Sequence, residues 1–191
     1  MRWVTLYARS RQVPASLAAV LVGTLAVWSL ARDGGAGSGD PRQPVLVLAT
    51  GVMAASIGLG GQDLALDRTA AIRWMPRRAA HVLLGATVVG SVLLAVQTMG
   101  APLATTAFVV RDSAGLTGLA ALGAAFWGGR YAWSLPFASL SLAFVAPPPA
   151  STPMRVVGWM LTPPGTAAST WTAVALAVTG TAAYAVAGPR R

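Results

Sequence analysis

Long apolar runs separated by short polar breaks constrain this chain more than any other feature. Runs over about 13–30, 45–60, 80–98, 114–129, 132–146 and 168–187 approach the roughly 20 apolar residues with which a helix crosses a bilayer. Backbone placed in hydrocarbon must satisfy its own N–H and C=O groups, so such runs form helices. Hydrophobic residues make up 55% of the chain and charged ones only 10%, against about 25% charged in ordinary soluble domains. The expected fold is an all-α integral membrane protein. It has six transmembrane helices in a single transmembrane domain over 1–191, with both termini inside.

The breaks set the boundaries. Pro14 falls in the first turn of span one, where a missing N–H costs little. No small-residue cleavage site follows Trp28-Ser29-Leu30, so that span is expected to be retained. Before it, Trp3, Leu6 and Tyr7 share one side of a short N-terminal interfacial helix. Gly100 and Pro102 stop span three, and 103–110 reads as an outer loop or a short extension. Asp112 or Ser113 is then the expected N-cap of span four. Pro147-Pro148-Pro149 stops span five. The apolar island Met154–Leu161, between Pro153 and Pro163-Pro164, is too short to cross. It reads as a re-entrant or interfacial outer helix before the last span, which needs protein over its backbone ends.

Orientation follows from the arginines. With both termini inside, ten of the fourteen basic residues fall on the cytoplasmic side. Only Arg32, Arg42, Arg111 and Arg155 fall outside, as the positive-inside rule requires. Trp3, Trp74, Trp127 and Trp133 are expected at the inner boundary, and Trp28, Trp159 and Trp171 at the outer one. The net charge of +9 then speaks for anionic lipid as partner rather than nucleic acid. The Ala, Gly and Arg bias, with no Lys, fits a GC-rich bacterial genome and a multi-pass protein of the cell membrane.

Catalytic chemistry has little to work with. The chain holds no Cys and no Glu, and a single histidine, so no metal or bound cofactor is expected. His81, at a span boundary beside Arg77 and Arg78, reads as an interfacial residue rather than a ligand or base. No serine in the spans has an evident base, so no enzyme is expected. A phosphate-binding P-loop needs a lysine that is absent, so any ATP must be hydrolysed by another chain. Asp33, Asp40, Asp63, Asp67 and Asp112 all fall in expected loops, which argues against a self-powered ion-coupled carrier. Residues four apart form stripes rich in small side chains in span four, Ala114, Gly118 and Leu122 in one and Ala120, Ala124 and Gly128 in another. They do so again in span six, at Ala173, Ala177 and Thr181. Such stripes let helices approach closely.

The densest charge lies in Gly61–Ala80, with two Asp and four Arg between two apolar spans. Asp63 can cap a helix starting at Leu64. In it Leu64, Ala65, Ala71 and Ile72 are apolar, and Asp67, Arg68 and Arg73 polar. Trp74 is its last residue and Pro76 ends it, because the residue before a proline avoids the helical region. Arg77 and Arg78 follow at the lipid boundary. The expected element is a charged cytoplasmic helix parallel to the membrane, in a loop over 61–79.

This stretch resembles the loop after the second span in ABC-2-type transporter permeases. Asp67, Arg68, Thr69, Pro76, Arg77 and Arg78 follow that family's order of acid, Arg, Thr, Pro and basic residues. The six-span count, the interfacial N-terminal helix and the re-entrant outer piece agree with it. The family usually has Glu where this chain has Asp67 or Gln62, and the chain is short for it. The resemblance implies a permease that pairs with itself or with a similar chain. It also implies a separate ATP-binding subunit that grips the 64–74 helix. The apolar spans would suit export of an amphiphilic or hydrophobic cargo such as an antibiotic or lipid. Two other readings stand beside it. One is the substrate-binding membrane subunit of an energy-coupling-factor vitamin transporter, docking through Ala15 and Ala19. The other is a non-transporting membrane scaffold or immunity protein.

Overall fold

The computed structural model describes residues 18, 20–23, 25, 29, 40–60, 74–99, 102–147 and 151–190. The expected interfacial helix at 1–12, most of span one and the stretch 61–73 lie outside the described residues. The described positions between 18 and 29 are helical, and no strand occurs among the described residues. The helices are α1 (Arg42–Ala55), α2 (Trp74–Gln97), α3 (Thr106–Trp127), α4 (Ser134–Val145), α5 (Thr152–Val157) and α6 (Ala167–Ala187). Short 3-10 turns follow α1 (Ser56–Leu59), α3 (Gly129–Tyr131) and α5 (Trp159–Leu161).

Three stretches among the described residues are long and apolar enough to cross a membrane: Arg42–Leu59, Trp74–Gln97 and Ala167–Ala187. Their outward faces carry large apolar side chains with nothing over them. Leu83, Leu84, Trp171, Val178 and Val186 are each more than half exposed. So much contiguous apolar surface belongs in lipid rather than in water. The protein is therefore a helical membrane protein.

The long helices run back and forth between two ends. One end gathers Pro41, Pro44, Pro102, Pro163 and Pro164 around a common cleft. At the opposite end Arg78 packs against Gly188, and Tyr184 donates its hydroxyl hydrogen to the Leu59 carbonyl at 2.8 Å. We refer to the proline end and the arginine end. α1, α3 and α6 run from proline to arginine end, and α2 runs the other way. Gln97 fixes the turn after α2. Its Nε2 donates to the Ala104 carbonyl at 3.1 Å, and its Oε1 accepts from the Leu103 and Ala104 amides, each at 3.2 Å. The Gln97 side chain is thus a pin for the connector.

α3 is the axis of the bundle, and its most extensive contact is with α6. Glycine lets the two backbones meet. A Cβ on Gly180 would fall on the Gly118 backbone, and one on Gly118 would fall on the Leu176 carbonyl. With no Cβ at either position, the helices sit closer than any side chain permits. Ala173 and Ala177, from the expected stripe of the last span, lie against Gly115 and Gly118. Gly180 rather than Thr181 makes the tightest approach.

Several boundaries depart from expectation. α3 begins at Thr106, so 106–110 is helix and not loop. Its N-cap is Thr105, whose hydroxyl accepts from the Phe108 amide at 3.3 Å, and not Asp112 or Ser113. Asp112 is not in a loop at all: it lies inside the helix and is fully buried. Pro76 does not end a helix. It lies within α2, near the first described residue of that helix, where proline is tolerated. α4 has 12 residues. At 1.5 Å per residue it is about 18 Å long, short of a roughly 30 Å hydrocarbon core. The expected re-entrant piece is α5 with the 3-10 turn Trp159–Leu161. It tucks into the bundle so far that Trp159 and Met160 are buried. Trp159 is thus not a boundary residue: its ring sits over Gly115, where a Cβ would approach Cη2 to 2.5 Å.

Candidate functional site

Two neighbouring residues of α3 carry the only ion pair among the described residues. Arg111 Nε and Asp112 Oδ1 lie 2.7 Å apart, with side chains 7% and 0% exposed. The pair is six residues into the helix, about 9 Å from its start. A charge taken out of water survives only if it is paired and hydrogen-bonded. Arg111 meets both conditions. Beyond Asp112, its NH1 group donates to the Pro163 carbonyl at 3.2 Å and to Ser169 Oγ at 3.3 Å. Its NH2 group donates to the Thr162 carbonyl at 3.0 Å. The Phe108 ring covers the guanidinium, with its centroid 5.1 Å from Cζ. Arg111 thereby ties α3 to the segment between the 3-10 turn and the start of α6.

Asp112 is less completely served. Oδ1 takes the arginine hydrogen bond, but Oδ2 is buried with no partner in the structure. Beside the pair, at the proline end, lies a cleft of about 470 Å³ lined by Phe108, Thr105, Leu161, Pro163 and others. Phe108 and Pro163 belong both to the cleft wall and to the shell around Arg111. The cleft and the pair are therefore neighbours that share Phe108 and Pro163.

Arg111 and Asp112 are charged and so are expected in an outer loop, whereas both lie inside α3. Their adjacency was the available signal. An arginine followed by an aspartate has unit charges of opposite sign on consecutive side chains, which can neutralise each other within one helix turn. The sequence argument against ion coupling rested on the absence of buried charge, and the pair removes it.

The arginine end holds what is described of the expected coupling element. Asp63, Leu64, Asp67, Arg68, Thr69 and Arg73 lie outside the described residues. Trp74, Pro76, Arg77 and Arg78 sit at the start of α2. Arg77 stacks over the Trp74 ring, with Cζ 6.0 Å from its centroid. Trp74 Nε1 is buried without a hydrogen-bond partner. Arg78 lies against Gly188, whose φ of 68° suits glycine at the end of α6. A cation there also complements the carbonyl end of the helix. The Arg190 amide donates to the Ala124 carbonyl at 3.2 Å, closing the end of α3. Exposed Arg130 lies among exposed Phe126, Trp127, Tyr131 and Trp133. The residues flanking 61–73, Gly60 and Trp74, are both at this end.

His81 is half-buried in the wall of a second cavity, of about 80 Å³, with Val20, Ser56, Val82, Gly85 and Thr117 among its neighbours. No group of three or more metal-ligating side chains occurs among the described residues. No protein-family model, curated protein or solved structure matches the chain.

Proposed function

We propose that this chain is the membrane permease subunit of an ATP-driven transporter of the ABC-2 type, moving an amphiphilic or hydrophobic compound. On this reading six segments cross a bacterial plasma membrane with the arginine end in the cytoplasm, the short α4 doing so together with the 3-10 turn before it, from Gly129 against Gly60 to Phe144 under Arg42. ATP is hydrolysed by a separate subunit, and the permease works as a pair. The observation that carries the reading is the placement of two features at opposite ends. Gly60 and Trp74, the described residues on either side of the charged stretch 61–73, are both at the arginine end, with Arg77 and Arg78 just beyond. The short helix α5 and its 3-10 turn, just before the last long helix, dip in from the proline end. Clustered Arg77, Arg78, Arg130 and Arg190 favour the cytoplasmic side for the first of these ends.

The mechanism uses this chain's residues as transmitter and not as motor. A partner gripping 63–74 would push on Trp74 and Pro76, the start of α2. α2 packs along α3 and α6, so a shift of its arginine end changes how the bundle closes at its proline end. The decisive experiment is affinity purification of the tagged chain from its own host. A P-loop ATPase should co-purify, and charge reversal at Asp67 together with Arg68 should abolish both its retention and cargo-stimulated ATP hydrolysis. Unchanged retention and hydrolysis would overturn the docking role.

A further inference from the structure

We propose that Asp112 is a proton-binding site, reached from the cleft at the proline end, and that its occupancy decides whether Arg111 clamps the 159–169 segment against α3. This does not depend on an ATPase partner or on the direction of any transport.

The argument starts from an imbalance inside the pair. Arg111 has five N–H donors, and four hydrogen bonds engage its three nitrogens: one to Asp112, two to carbonyls and one to Ser169. Asp112 has two oxygens, one of them bonded and the other buried with nothing to accept from. A carboxylate oxygen left bare in a low-dielectric interior is a place where a proton binds. Other charged groups among the described residues do not meet this need. α1 brings Asp40 and Arg42 at its start, and Arg42 stacks on Phe144 of α4. α2 brings Arg77, Arg78 and His81, all near its far end. α5 brings Arg155, which is exposed. α4, α6 and the Trp159–Leu161 turn contribute no charged side chain to the shell. Tyr184 of α6 is committed to Leu59 at the other end.

The chemistry is a simple transfer. A hydronium ion in the cleft gives a proton to Asp112 Oδ2, an O–H bond forms, and water remains. The reverse step returns the proton by the same route, and no electrons change hands. The structural effect lies in Arg111. With Asp112 ionised, the guanidinium has its counter-charge and holds the carbonyls of Thr162 and Pro163 and the hydroxyl of Ser169. With Asp112 neutral, a full positive charge remains in the interior without its partner. Removal of one member of a buried pair is far more disruptive than absence of both. The side chain then relaxes toward water in the cleft and releases the segment it held. The clamp is therefore closed while Asp112 is ionised and loosens as pH falls and the proton binds.

The chain contains no cysteine, so a single introduced thiol reports one position. Met160 is fully buried beneath the clamp and Met154, six residues earlier, is 37% exposed. The full chain, reconstituted in vesicles, carries either Met160→Cys or Met154→Cys and is labelled with a membrane-impermeant maleimide. The ratio of the two rates cancels the thiol's own pH dependence. Between about pH 8 and about pH 5 the ratio should rise at least about tenfold, a conservative figure for stranding a buried guanidinium. Asp112→Asn should hold the ratio high and flat across that range. A flat ratio in the parent chain overturns the proposal, and so does a pH step that survives Asp112→Asn. If Asp112→Asn does not give a monodisperse protein, Asp112→Glu takes its place. That variant should keep the step with a displaced midpoint, and an unmoved midpoint overturns the proposal.

Discussion

The two ends of the bundle treat arginine in opposite ways. At the proline end Arg111 is buried and bonded to four groups, and its neighbour's charge is its only counter-ion. At the arginine end Arg77 lies on the surface beside the Trp74 ring, and Arg130 is exposed. The same residue type thus holds tertiary structure in one place and faces outward in the other. Desolvation makes the difference. A buried guanidinium without partners is intolerable, whereas a surface one gains little from any single contact.

This contrast can be broken by substitution. Arg111→Ala should have the largest effect. It leaves Asp112 buried without a counter-ion and removes three anchors on 162–169. We expect a loss of about 3–5 kcal/mol, seen as a large drop in the thermal midpoint of the purified protein. Next comes Gly118→Ala, which puts a methyl group into the α6 backbone. Overpacking of this kind costs about 1–3 kcal/mol, and a midpoint equal to that of the parent chain would mean that the helices do not touch. Tyr184→Phe leaves the buried Leu59 carbonyl without its donor, at a cost of about 1–2 kcal/mol by the same melting assay. Arg130→Gln should leave the midpoint unmoved but weaken partition of the protein onto anionic over neutral vesicles. If Arg130→Gln destabilised as strongly as Arg111→Ala, the division between the two ends would fail.

Much of the architecture could be read from the chain because length and apolarity dictate helices in lipid. Arg42–Leu59, Trp74–Gln97 and Ala167–Ala187 overlap the expected spans two, three and six. That 154–161 is a short separate element was legible from prolines on both sides of an apolar run too short to cross. The start of α3 at Thr106 was not, because charge in an apolar chain points to a loop. Arg111 solves its desolvation problem with its neighbour's carboxylate and with acceptors from a distant segment. Those acceptors are carbonyls of Thr162 and Pro163, which no side-chain pattern announces. Trp159 misled for a related reason. Tryptophan favours the interface in general, but here Gly115 opens a recess in which the ring fits. The small-residue stripes were visible, whereas the choice of Gly118 and Gly180 as the point of contact depends on helix rotation, which spacing alone leaves open.

The contact between Gly118 and Gly180 has a mechanical consequence. Where two helices meet main chain to main chain, neither can roll or slide without a collision, since no side chain stands between them to change rotamer. α3 and α6 are therefore locked together at the level of the two glycines, and an axial shift of one there carries the other with it.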